Sequence, residues 1–180
     1  MKRLFIGIFI PPKVLNKQYP RLKKEFGGII PGKWVKTENL HITLKFLGYV
    51  DNNKIKQINH SLKEIFNNPL QEPIELSGLG VFPNPKNPRI LYINVKDNSN
   101  FLQELHQSIE KKMLNLGFEK ERKPFKPHIT IKRIKTDIDT EKFIPKLTKY
   151  KDFYFGKLES VEINLIESIT LPSGAIYHKI

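Results

Sequence analysis

A histidine and a threonine two positions apart, set in an otherwise aliphatic and aromatic stretch, occur twice in this chain: LHITLKFLG at residues 40–48 and PHITIKRIK at 127–135. β-Branched and aromatic residues at this density favour strands, and successive side chains on a strand point to opposite faces. His41 and Thr43 therefore share one face, with Ile42 and Leu44 on the other. His128 and Thr130 likewise stand opposite Ile129 and Ile131. The aliphatic side is drawn into a core, leaving an imidazole and a hydroxyl side by side. Lys45 and Lys132 continue the same alternation and are expected on the polar face. One such strand is an ordinary half-buried edge. Two of them, 87 residues apart from His41 to His128, restrict the useful folds to those that bring both polar faces to a common point.

The remaining pattern mixes strands and helices. Residues 2–10 read as a buried strand stopped by Pro11-Pro12, too short to span a bilayer and without the cleavage site of an export signal. Residues 12–26 read as a helix carrying Val14, Leu15 and Leu22, interrupted near Pro20. GGIIPG (27–32) is loop chemistry, and Gly48 closes the strand at 40–47. Asp51 is placed to cap a helix over 52–66, where Ile55, Ile58, Leu62, Ile65 and Phe66 recur at spacings of three and four. Residues 73–82 and 89–95 read as strands around the turn-rich PNPKNP. Asp97 or Ser99 opens a helix with an apolar stripe of Leu102, Leu105, Ile109, Met113 and Leu116, ended by Gly117. Residues 127–134 are a strand, 139–149 a short helix, and 153–166 and 175–180 strands. Neither GxGxxG nor GxxxxGK[ST] follows the first strand, which argues against dinucleotide-binding and P-loop folds. Each half offers strands, an amphipathic helix and one His-x-Thr strand, and no Ser/Gly linker divides them. Residues 1–180 are therefore expected to form one domain of two lobes sharing an interface.

Charge narrows the partners. Lys and Arg number 31 against 18 Asp and Glu, a net charge of +13, which favours polyanions, nucleic acid above all. The same excess also fits a merely soluble, Lys-rich surface. The absence of cysteine rules out a disulfide framework or thiolate metal site and is compatible with a reducing cytoplasm, the expected location. No third ligand spacing accompanies the two histidines, so no metal or other cofactor is expected. His60, His106 and His178 lack partner motifs and read as solvated or structural.

Two imidazoles and two hydroxyls around one point suit a phosphodiester. A neutral imidazole can take a proton from water while an imidazolium gives one to the leaving oxygen. The threonine hydroxyls can donate to the non-bridging oxygens as charge develops.

With these residues in view, the chain resembles the 2H phosphoesterases, whose mark is a His-x-Thr-aliphatic motif twice per chain. It resembles most their RNA 2′,3′-cyclic phosphodiesterase branch, also called the 2′-5′ RNA ligase family. WVKTENLHITLKFLG (34–48) is similar to the first motif of that branch and KPFKPHITIKR (123–133) to the second. VFPNPKNPRILYINV (81–95) is similar to its central hairpin, and KRLFIGIFIPP and ESITLPSGAIYHKI to its two ends. The resemblance implies an α+β fold of two pseudo-symmetric lobes, each an antiparallel sheet with helices on its outer face, enclosing a central basic cleft. It implies hydrolysis of 2′,3′-cyclic phosphate at RNA 3′ ends or tRNA fragments to a 2′-phosphate, by a monomer without membrane association. His41 is then the acid and His128 the base, although a near-symmetric site could run either way. Thr43 and Thr130 hold the phosphate, and Phe46 stacks on the terminal base. Arg133 or Lys132 supplies the phosphate-binding cation: alternation favours Lys132, the resemblance Arg133, and a bulge just past each motif would reconcile them. Two alternatives use the same residues differently: joining RNA halves through a 2′-5′ linkage, or binding RNA without catalysis.

Overall fold

The structure is a computed structural model that describes residues 1–63, 65, 70, 72–135, 137–172 and 174–180. Among these residues the chain forms nine strands: β1 (Lys2–Phe9), β2 (Gly32–Trp34), β3 (His41–Val50), β4 (Ile74–Phe82), β5 (Ile90–Lys96), β6 (His128–Ile134), β7 (Tyr154–Leu158), β8 (Ile163–Leu171) and β9 (Gly174–Lys179). Five α-helices separate them: α1 (Pro12–Leu15), α2 (Gln18–Phe26), α3 (Asn52–Leu62), α4 (Phe101–Asn115) and α5 (Thr140–Lys149).

Every strand pairing among the described residues is antiparallel, in the order β7-β4-β5-β6-β3-β1-β8-β9, with β2 added against β6. The order divides into two four-stranded halves that meet where β3 touches β6, at the single ladder pair Ile42–Ile129. One His-x-Thr strand lies on each side of that seam. This is the α+β architecture of two pseudo-symmetric lobes that the resemblance implied.

The helices cross between the halves. Although α1 follows β1, it packs against β7 in the other half, and α2 meets α5 through Phe26 and Phe143, ring centroids 6.2 Å apart. Conversely α4, which follows β5, packs on β3 and α3. A single hydrophobic cluster thus runs through both halves, including Ile6, Ile42, Ile93, Ile129, Phe26 and Met113.

Local chemistry accounts for the helix ends. The Asp51 carboxylate accepts from the backbone N–H of Asn53 at 2.8 Å, and Asp139 accepts from Glu141 at 3.1 Å. Asp97 works from further back: its carboxylate accepts the Leu102 N–H at 2.6 Å and the Ser99 hydroxyl at 2.7 Å. Gly117 ends α4 at φ +82°, a left-handed conformation that glycine adopts without a Cβ clash.

Four expectations are corrected. The helix expected over 12–26 is two helices, and its break falls at Asn16-Lys17 rather than at Pro20, which fits the first turn of α2 where no N–H partner is lost. The strand expected over 153–166 is β7 and β8, which lie in different halves of the sheet. The strand at 40–47 continues beyond Gly48 to Val50 because that glycine takes φ +70° at a ladder irregularity. The helix expected over 52–66 ends at Leu62, and Phe66 lies outside the described residues.

Candidate active site

Because β3 and β6 run antiparallel with Ile42 opposite Ile129, their neighbours are fixed in register. His41 faces toward Thr130, and Thr43 toward His128. The two imidazoles stand diagonally across the seam on one face; such diagonal neighbours lie about 7–8 Å apart. The two strands share one burial pattern: His and Thr half-buried, the aliphatic residues buried, the following lysine buried, and the next residue exposed.

That pattern departs from alternation because each strand bulges. Gly7 pairs with Thr43 and Ile6 with Lys45, which leaves Leu44 as an extra residue in β3. Tyr92 pairs with Thr130 and Leu91 with Lys132, which leaves Ile131 as an extra residue in β6. An added residue reverses the facing of everything beyond it. Lys45 and Lys132, expected on the polar face, therefore turn into the protein, and Phe46 and Arg133 take their place. Lys132 is 2% exposed with its ammonium 4.5 Å from the centre of the Trp34 ring, so it is off the His–Thr face, and burial lowers its pKa. Lys45 is bound by Glu110 on α4 at 2.5 Å.

Each bulge carbonyl is held by a donor from another part of the chain. His106 of α4 donates from Nδ1 to the Leu44 carbonyl at 2.9 Å and stacks flat on Phe125 at 4.2 Å. The Ile131 carbonyl accepts the Val35 backbone N–H at 2.9 Å, and the Tyr19 hydroxyl of α2, which donates to the Val35 carbonyl at 2.5 Å, lies 3.0 Å from it. A backbone carbonyl removed from its ladder must find a donor; the Leu44 carbonyl finds it in His106 and the Ile131 carbonyl in the Val35 N–H. His106, read from sequence as solvated or structural, is structural in this specific sense.

The two catalytic candidates are oriented alike. Nδ1 of His41 donates to the Asn39 carbonyl and Nδ1 of His128 to the Lys126 carbonyl, each at 2.7 Å. A carbonyl only accepts, so Nδ1 carries the hydrogen and Nε2 is left free in both neutral rings. Aromatic rings surround them. Phe5 lies 4.8 Å and Tyr177 4.9 Å from His41, while Phe82 lies 5.1 Å and Tyr92 5.2 Å from His128, centre to centre. Tyr92 can lie this close to the sheet because Gly80 sits beneath it, where a Cβ would come within 2.4 Å of the ring. Lys126 donates to the Tyr92 hydroxyl at 2.7 Å. Asn39 donates to the Ala175 carbonyl at 2.8 Å, tying β9 to the first motif.

Burial pushes both imidazoles below the ordinary histidine pKa. The charges of His128 and Arg133 push His41 further down, so both reach it across the seam. Lys126 does the same to His128. The carbonyls of Asn39 and Lys126 oppose these shifts by favouring the protonated rings. Phe46 is 63% exposed at the edge of this face, its ring 6.1 Å from Phe5. Phe5, Tyr92 and Tyr177 escaped sequence reasoning because nothing in their local spacing marks them; only the ladder brings them to the histidines. Lys126, two residues before His128, was not singled out although it lies within the second motif. Among the described residues no cluster of three or more His, Cys, Asp or Glu side chains is placed to hold a metal ion, and no helix is long and apolar enough to cross a membrane.

A doubled His-x-Thr strand at the seam of a two-lobed antiparallel α+β fold is the architecture of a phosphoesterase. The AKAP7 2'5' RNA ligase-like domain matches residues 5–180 of the chain. An RNA 2′,3′-cyclic phosphodiesterase of Methanocaldococcus jannaschii is 39% identical, covering 99% of this chain and 98% of its own. Another, from Aquifex aeolicus, is 38% identical over 97% of this chain and 93% of its own. The chain belongs to the 2H phosphoesterase superfamily, in its RNA 2′,3′-cyclic phosphodiesterase (2′-5′ RNA ligase) family. In fold it is similar to E. coli LigT, whose complex with 3'-AMP superimposes with a TM-score of 0.79 at 22% identity, covering 99% of this chain and 95% of that one.

Proposed function

We propose that this protein opens 2′,3′-cyclic phosphates at RNA 3′ ends, leaving a 2′-phosphate and a free 3′-hydroxyl. The observation that carries the reading is the matched pair of imidazoles, each held by Nδ1 to the carbonyl two residues upstream so that Nε2 is the free nitrogen. His128 takes a proton from water, whose oxygen bonds to phosphorus. The P–O3′ bond breaks, and His41 gives its proton to O3′. Both rings favour the neutral form in the free protein, so the anionic phosphate itself helps to protonate the acid on binding. Thr43 and Thr130 donate to the non-bridging oxygens and Arg133 balances their charge, while Phe46 offers a face to the terminal base. Residues 1–180 act as one domain, since a common core underlies both halves. The chemistry uses no metal, and we place the protein in the cytoplasm as a monomer.

Protein treated with EDTA is expected to convert an oligonucleotide ending in a 2′,3′-cyclic phosphate to the 2′-phosphate. His41→Ala and His128→Ala should each slow this by about 10²–10⁴-fold, and the double variant should be little worse than either, because the pair acts as a unit. No product from the wild type, or full activity in either single variant, overturns the reading. The match to a 2'5' RNA ligase-like domain supports a second reaction at the same site, in which a 5′-hydroxyl replaces water; product analysis with paired RNA halves separates the two.

A further inference from the structure

A groove of about 630 Å³ adjoins the site and takes no part in the chemistry above. Its lining includes Phe46, Tyr49, Phe118, Lys120, Arg122 and Lys123. We propose that this groove is a second subsite, which holds the nucleotides on the 5′ side of the reacting end as single-stranded RNA. The proposal rests on RNA being the substrate and says where the rest of that RNA runs.

Continuity comes first. Phe46 borders both the histidine face and the groove, so a chain whose terminal base lies on Phe46 continues into it. Tyr49, 73% exposed, lies three residues further along β3, about 10 Å. At a rise of about 3.4 Å per stacked nucleotide, that spans two to three bases. Two large aromatic faces open to solvent along one path suit unpaired bases, whereas a duplex keeps its base faces covered.

Charge agrees. Lys120, Arg122 and Lys123 have no ion-pair partner among the described residues, and Arg3, across the ladder from Tyr49, adds another exposed cation without one. Glu119 and Glu121 share the loop, but the Glu121 carboxylate turns back to accept the N–H groups of Arg122 at 3.1 Å and Lys123 at 3.5 Å. The wall is also fixed in place. Lys45 donates to the Glu119 carbonyl at 2.9 Å, and its partner Glu110 accepts the Glu121 N–H at 3.2 Å. The bulge that presents Phe46 and the loop that presents the cations are therefore held by one ion pair.

The test compares a nucleoside 2′,3′-cyclic monophosphate with an eight-nucleotide RNA bearing the same end. The wild type should favour the octamer in kcat/KM. Tyr49→Ala and the double variant Arg122→Ala/Lys123→Ala should each lower the octamer value about tenfold more than the monophosphate value. Binding of a 3′-phosphorylated octamer, followed by fluorescence anisotropy against salt, gives a readout independent of turnover. Its log–log salt slope should fall in magnitude by about 1.4 in the double variant, about 0.7 for each cation removed from a single strand. Equal kcat/KM for the two substrates, or equal losses on both, overturns the subsite and leaves the phosphodiesterase reading standing. If neither substrate turns over, that reading fails, and octamer binding unchanged in the variants then overturns the groove as well.

Discussion

At the scale of single residues, the same hydrogen bond recurs at both motifs: an imidazole Nδ1 to the carbonyl two positions back. It sets the tautomer and ring direction without using a second side chain. Around each ring, aromatic neighbours cover part of its surface, and that burial is the leading reason both histidines lie below their ordinary pKa. The sign has a measurable consequence. The reaction needs one ring protonated and one neutral, and kcat/KM reports the free protein. With both rings shifted down from about 6.5, kcat/KM should peak on the acid side of that value and fall as pH rises and the acid loses its proton. In the complex the bound phosphate raises the acid, so the kcat profile should lie at higher pH than the kcat/KM profile. A pH series of both constants checks this, and coincident profiles centred above pH 8 would count against the assigned roles.

At the scale of elements, the two bulges decide which side chains reach the site. Each turns a lysine inward and presents the next residue, Phe46 or Arg133, on the His–Thr face. In β3 the inward lysine is neutralised by Glu110, with side-chain exposures of 3% and 11%. Burial alone would raise the Glu110 carboxyl, but the Lys45 hydrogen bond, the Glu121 N–H and the charges of Lys45 and His106 hold it below its ordinary pKa. Breaking such a pair from one side strands a charge. Glu110→Gln is expected to cost about 3–5 kcal/mol, whereas Lys45→Met with Glu110→Leu should be close to neutral. Urea unfolding of the three proteins measures both, and a loss below about 1 kcal/mol in the single variant would contradict the buried ion pair. The double variant also frees the backbone of Glu119 and Glu121, so the two proteins separate fold stability from the shape of the groove.

At the scale of the whole molecule, two halves meet at one ladder pair, and that seam sets the separation of the histidines. Ile129, at the seam, and Ile109, on α4, are both fully buried. Truncation to alanine should cost about 2–5 kcal/mol at either position. Only Ile129→Ala should also lower kcat/KM, by about tenfold or more, since a misplaced general acid or base loses rate steeply with distance. Equal activities in folded variants would show that the seam does not govern the site. Much of this was readable along the chain: the polar pair on each His-x-Thr strand, the cap at Asp51, the end of α4 at Gly117 and the mixed α+β pattern. These follow from interactions within a few residues, where strand alternation, helical periodicity and capping act. A bulge past each motif was left open by the sequence, but its placement at Leu44 and Ile131, the inward turn of Lys132, the separation of β7 from β8 and the aromatic cage around each histidine were not readable. They depend on ladder partners and carbonyl acceptors tens of residues away, so only packing of the whole chain could select them.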